Sequence, residues 1–165
     1  MNATIVIYGS STGTCEAIAE KIASKLDCEA LNVQDLTADI VVAKQNLILG
    51  TSTWGAGELQ DDWYDGLKTL QGANLNGKTI ALFGCGDCSS YSDTFVGGMG
   101  ELYNGIKDSG AKFIGSVETD GYTFDDSEAV IDGKFIGLPL DDINEDDKTD
   151  TRIETWIAAI SHELS

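Results

Sequence analysis

The 165-residue chain has one proline, one histidine and no apolar run near the ~18 residues that a membrane-spanning helix needs. The lone histidine, His162, leaves no Cys/His zinc spacing and reads as a solvated helix residue near the C-terminus. Basic side chains are scarce: 10 Lys and Arg face 28 Asp and Glu, a formal net charge of −18. That deficit argues against nucleic acid and anionic membrane surfaces, and favours basic partners reached by salt-sensitive steering. The N-terminus lacks a basic leader and its apolar run is short, so no signal peptide is expected. Four cysteines (Cys15, Cys28, Cys85, Cys88) then read as reduced thiols of a cytoplasmic protein. No repeat or linker composition interrupts the chain, so one domain over 1–165 is expected, long enough for its own core.

The informative stretch is 4–26. Thr4 to Tyr8 is a short β-rich apolar run, Gly9-Ser10-Ser11-Thr12-Gly13-Thr14-Cys15 is small and largely hydroxylated, and apolar residues then recur at 15, 18, 19, 22, 23 and 26. That is strand, tight loop, helix. Such a loop aims the free N–H groups and the positive dipole end of the helix start at one point. A phosphate suits it. A P-loop would need a Lys after its second Gly, and no Lys or Arg occurs from Gly9 to Glu20. A dinucleotide site would need a third glycine. What remains is an uncharged cradle for a single terminal phosphate, against the plainer reading of an ordinary βα turn.

Along the rest of the chain, Glu29 to Val33 reads as an edge strand and Leu36 to Lys44 as a connector with one helical turn. Asn46 to Thr51 and Thr79 to Cys85 read as buried strands, and Lys112 to Val117 as a fifth strand. Thr51 to Asp62 reads as a loop. Helices are expected from Trp63 to Leu70, from Asp93 with its end at Gly110, and from Thr151 to Leu164, the last opened by a Thr151–Glu154 capping box. Residues 119–138 break the alternation and read as an insertion in or beside the fifth strand. Apolar strands alternating with helices imply α/β architecture, a doubly wound five-stranded parallel sheet of order 2-1-3-4-5 with helices on both faces. The loops after strands one, three and four then converge.

Two of those loops each place one large aromatic among small residues: Thr51-Ser52-Thr53-Trp54-Gly55-Ala56-Gly57-Glu58 and Gly84-Cys85-Gly86-Asp87-Cys88-Ser89-Ser90-Tyr91. Two aromatics across one crevice can sandwich a flat ring, a stack worth about 0.5–1.5 kcal/mol beyond area burial. Trp63 and Trp156 lie on helix faces and read as core.

These segments resemble the flavodoxin family, and the match runs through nearly the whole chain in order. Ser10 to Glu16 is similar to the FMN-phosphate loop. Thr53 to Trp63, and Gly84 to Asp87 with Tyr91-Ser92-Asp93, resemble the two flavin loops. Thr119 to Phe124 and Gly133 to Leu138 are similar to the insertion of the long-chain branch. The resemblance implies non-covalent FMN. Ser10, Ser11, Thr12, Gly13, Thr14 and Cys15 would take its phosphate. Trp54 and Tyr91 would stack on the ring, Gly55 and neighbouring backbone (Thr51, Ser52, Thr53, Gly57) would meet the N5 edge, and Gly86 and Asp87, with Cys85, would meet the pyrimidine edge. Position 15 is usually Thr in this family. A thiol there is a weaker donor, costing about 1 kcal/mol. Cys85-Gly86-Asp87-Cys88 also admits a dithiol reading, with no basic residue nearby to support it.

Glu58, Asp61, Asp62 and Asp65 would oppose the negative charge of a reduced ring, so a low-potential one-electron carrier is expected. No general base or nucleophile is apparent, which argues for an electron carrier and not an enzyme. Its partners would be basic-faced redox proteins: a flavodoxin reductase or 2-oxoacid oxidoreductase as donor, a reductive enzyme as acceptor. A monomer is expected. The alternatives are an FMN-dependent NAD(P)H or quinone reductase of this fold, and a phosphoacceptor receiver domain, which would need acids where Gly9-Ser10 stands.

Overall fold

Side chains alternate sides along a strand, so a strand buried on both faces feeds two cores at once. β1 (Thr4–Gly9), β3 (Asn46–Trp54) and β5 (Thr79–Cys85) do this. Ile5, Ile7, Leu47, Leu49, Ile80 and Leu82 face one core, and Val6, Tyr8, Ile48, Ala81, Phe83 and Cys85 face the other. The computed structural model describes residues 3–9, 14–54, 58–59, 63–85, 97–119, 127, 129–141 and 146–164.

The first core is covered by α2 (Ala38–Ala43), α3 (Trp63–Gly72) and α4 (Gly97–Ile106), through Val41, Trp63, Leu70, Met99, Leu102 and Ile106. The second is covered by α1 (Thr14–Leu26) and α5 (Asp146–Ile160), through Ile18, Ala19, Ile22, Ile153, Trp156 and Ile160. Trp63 and Trp156 are core residues, as their helical spacing predicts. Each also satisfies its indole N–H: Trp63 donates to Gly50 O at 2.7 Å and Trp156 to Gly115 O at 2.8 Å.

The sheet order is the expected one. β2 (Glu29–Asn32) is the edge, followed by β1, β3 and β5, all parallel. The fifth place is shared by two short strands. β6 (Lys112–Ile114) pairs with Thr79–Ala81, and β10 (Leu138–Leu140) pairs with Phe83–Cys85. The insertion therefore splits the fifth strand. The expected strand to Val117 ends at Ile114, because Gly115 turns away with φ +86. Val117 belongs instead to a three-stranded antiparallel sheet of β7 (Val117–Glu118), β9 (Lys134–Phe135) and β8 (Val130–Ile131). Asp132 and Gly133 join β8 to β9, both at positive φ, as a two-residue hairpin turn requires. Phe135 and Ala129, fully buried, anchor this unit to the α3/α4 core.

Two further expectations are corrected. Thr51 to Trp54 is strand, not loop: β3 runs on to Trp54, and Thr53 and Trp54 pair antiparallel with β4 (Glu58–Leu59). The last helix starts at Asp146 and ends at Ile160, so Thr151 and Glu154 are mid-helix and exposed, not a cap. Acids such as Asp147 are favourable at the positive end of a helix, and buried Thr149 extends the packed face. His162 is exposed just beyond this helix. The expected start of the fourth helix at Asp93 lies outside the described residues.

Candidate functional site

β1, β3 and β5 come level at their carboxyl ends, where Gly9 faces Thr51 and Thr51 faces Gly84. Strand order reverses between β1 and β3: α1 lies on one face of the sheet and α3 on the other. In such sheets this reversal opens a crevice beyond the strand ends. α1 begins at Thr14, five residues after Gly9, so its orphan N–H groups open on that line.

The side chain of Cys15 does not point to that line. It is fully buried, in one core with Cys85. Its backbone N–H belongs to the first turn of α1. The Cys85 contact, and then burial, hold the Cys15 thiol well above its usual pKa. Thr51 is fully buried and Cys85 nearly so, each paired on both sides within the sheet. Thr14, Ser52, Thr53 and Trp54 are described by backbone alone: Thr14 opens α1, and the other three continue β3 past the edge. Ser10, Ser11, Thr12, Gly13, Gly55, Gly57, Gly86, Asp87 and Tyr91 lie outside the described residues.

Two residues at this edge escape the sequence reading. The Tyr8 hydroxyl, at the end of β1, donates to Glu16 Oε2 at 3.2 Å and pins that carboxylate in the first turn of α1. Burial, then the charge of Glu16, raises the Tyr8 pKa. The Trp63 indole holds the carbonyl of Gly50, one residue before Thr51. Nothing in spacing signals either contact, because each partner lies on a different element.

The donor set suits FMN. A helix start supplies N–H groups to a phosphate without a counter-charge. The chain segments beyond these strands, 10–13, 55–62 and 86–96, contain no Lys or Arg that would mark a polyphosphate site. Fold and edge together define a doubly wound α/β protein with an anion-accepting crevice at its point of strand reversal.

A family model described as flavodoxin matches residues 6–156. The chain is 47% identical to flavodoxin 1 of Azotobacter vinelandii over 96% of its own length and 95% of that protein's. It is 37% identical to flavodoxin 1 of Escherichia coli, covering 99% and 96%. The crystal structure of Fusobacterium nucleatum flavodoxin bound to flavin mononucleotide superposes with a TM-score of 0.92 at 33% identity, covering 100% of both chains. The chain belongs to the flavodoxin family.

Proposed function

We infer that this protein is a low-potential electron carrier holding FMN non-covalently at the carboxyl edge of its sheet. The observation that carries this is the start of α1 beside the level ends of β1, β3 and β5, with no basic residue in the segments that follow them. Bound FMN supplies one-electron transfer, which the protein's side chains do not. The chain's own residues bind, orient and shield. Ser10, Ser11, Thr12, Gly13, Thr14 and the Cys15 backbone N–H hold the phosphate. Trp54 and Tyr91 cover the ring and exclude water. Ser52, Thr53, Gly55 and Gly57 bring backbone to one ring edge, and Gly86 and Asp87 to the other. Thr51 and Cys85 support these segments from within the sheet.

The acids Glu58, Asp61, Asp62 and Asp65 disfavour negative charge on a reduced ring and so lower its potential. They also present an acidic rim to a basic-faced donor, a reductase or 2-oxoacid oxidoreductase, and to a reductive enzyme as acceptor. The reductase alternative is not favoured. The protein works as one cytoplasmic domain, a monomer of the long-chain branch, and turns over no substrate of its own. No helix among the described residues is long and apolar enough to cross a membrane. The test is titration of FMN-stripped protein with FMN, followed by reduction assays. Stoichiometric uptake with slow reduction by NAD(P)H alone is expected. A folded protein that ignores FMN, or one reduced rapidly by nicotinamide without a partner, overturns the reading.

A further inference from the structure

Asparagine followed by glycine is a self-reactive step in a chain, because glycine has no Cβ to keep its N–H from the asparagine side chain. The sequence holds two such steps, Asn76-Gly77 and Asn104-Gly105. The fold gives them opposite surroundings. Asn104 and Gly105 lie inside α4, where each N–H is tied to the carbonyl four residues back. Gly105 is also held from outside. Its carbonyl accepts from Gln71 Nε2 at 3.0 Å, and an added Cβ would stand 2.7 Å from the Leu67 side chain. Asn76 and Gly77 are exposed in the turn between α3 and β5. Gly77 has φ +82, with open space where a Cβ would stand. Its N–H donates to Gly110 O at 3.2 Å. The Asn76 side chain leans on the same Gly110, its Oδ1 2.7 Å from where a Cβ would stand. The side-chain amide and the N–H that can attack it therefore share one neighbour.

We propose that Asn76 is a deamidation site, so that aged protein carries an added negative charge in the turn before β5. The Gly77 nitrogen attacks the side-chain amide carbon of Asn76. A C–N bond forms, the old amide C–N bond breaks, and ammonia leaves with the Gly77 proton. The product is a succinimide ring. Water then opens either C–N bond of the ring, leaving aspartate, or isoaspartate with a longer backbone. Nothing is oxidised or reduced, and water is the sole co-reactant.

The two asparagines reach the reactive geometry at different cost. At Asn76 the long bond from Gly77 to Gly110 has to open, and Gln45 Nε2, on the Gly77 carbonyl at 2.7 Å, restrains the turn. At Asn104 the helix has to unwind and the Gln71 bond has to part. Local opening is cheap in exposed turns and approaches the global stability in packed helices, so Asn76 reacts first. Asp132-Gly133 also occupies a turn, with both residues at positive φ. It is set apart because an ionised carboxylate is a poor electrophile and has no ammonia to release. The inference is independent of the cofactor reading, since this turn enters β5 at the sheet edge opposite the crevice.

The test ages the full-length protein in mildly alkaline buffer. The Asn76 and Asn104 peptides are followed by mass and by chromatography that separates aspartate from isoaspartate. Conversion at Asn76 about tenfold or more faster than at Asn104 is expected, with isoaspartate among its products. In urea, which removes the helix, the two rates should converge. Asn76→Gln should abolish the change at that position, because glutamine must close a larger ring, and should leave Asn104 as in the parent. Gln45→Ala, which frees the Gly77 carbonyl, should quicken Asn76 alone. Asn76 unchanged in the folded protein overturns the site, as does conversion of both asparagines at one rate. An unaltered rate in Gln45→Ala overturns the restraint assigned to that side chain.

Discussion

The two edges of the sheet are built from opposite materials. At the amino edge, Lys44 and Lys78 lie just before β3 and β5, and Lys112 opens β6. Lys78 is only 8% exposed, yet its ammonium donates to the carbonyls of Lys44 at 2.6 Å and Val42 at 3.4 Å, closing the C-terminal end of α2. Gln45 donates to Gly77 O and Asn46 to Thr4 Oγ1, so this edge is stitched by side chains. At the carboxyl edge the segments carry no cation, and acids open the helices: Glu16 in α1 and Asp65 in α3. Helix dipoles explain the pattern. Negative side chains are stable where helices begin and positive ones where they end, as with Glu16 and Lys25 on α1. This protein can therefore attract an anion with backbone N–H groups alone. Its full charges at that end repel one, which admits a phosphate yet makes further negative charge on the ring costly.

Substitutions at each edge test this contrast in turn. The largest effect is expected at Gly50, just inside the carboxyl edge, where an added Cβ would overlap the Phe83 ring. Gly50→Ala should cost about 3 kcal/mol or more in urea unfolding, because the fully buried Phe83 ring has no free space to yield. Partial rescue by Phe83→Leu would identify that contact as the cause. At the opposite edge, Lys78→Met strips two carbonyls of their donor and should cost about 1–3 kcal/mol by the same assay. An unchanged midpoint would remove the stitching role.

A pH test follows from Cys15, whose raised folded pKa has a definite sign. Its contribution is fully present below the unfolded thiol pKa of about 8.5 and is lost as pH rises through the folded value. Stability of the stripped protein should fall as pH rises above about 8.5, and Cys15→Ala should flatten that slope whatever its effect on the midpoint. Asp65→Lys on the exposed first turn of α3 should raise the lower flavin potential by on the order of 20 mV, measured by potentiometry at low salt. No shift there would defeat the claim that the acidic rim sets the potential. The smallest effect belongs to Asp150, whose hydrogen bond and ion pair with Lys21 lower its pKa although both groups are exposed. That contribution is present above about pH 4 and fades as pH falls, so Asp150→Asn should alter only the acid limb of a stability profile, and slightly.

The sheet was legible because its strands are apolar on both faces, as in the run Leu47-Ile48-Leu49, and such runs have few other places to go. Its order followed from strand and helix alternation with the flavodoxin resemblance. Helix ends were less legible. The acid-rich run before Thr151 reads as solvated loop until one sees that acids also suit a helix start, and that Thr149 is buried. Trp54 reads as loop because its neighbours are small, yet Thr51 and Thr53 are β-branched and extend a strand. At the site, the small-residue loops announced themselves by composition. The full burial of Cys15 did not, because the core that takes it is built largely by other elements. The Tyr8–Glu16 and Trp63–Gly50 contacts were hidden for the same reason.

The split fifth strand leaves an opening for protein engineering. Ile114 lies beside Ala81 and Leu138 beside Phe83, while Gly137 packs so tightly on the Leu82 carbonyl that a methyl group there would overlap it. Joining Ile114 directly to Gly137 would therefore restore consecutive register across Ala81, Leu82 and Phe83. Among the described residues of this insertion, Phe135 and Ala129 enter the core beside α3 and α4, and the Gly115 carbonyl holds the Trp156 indole.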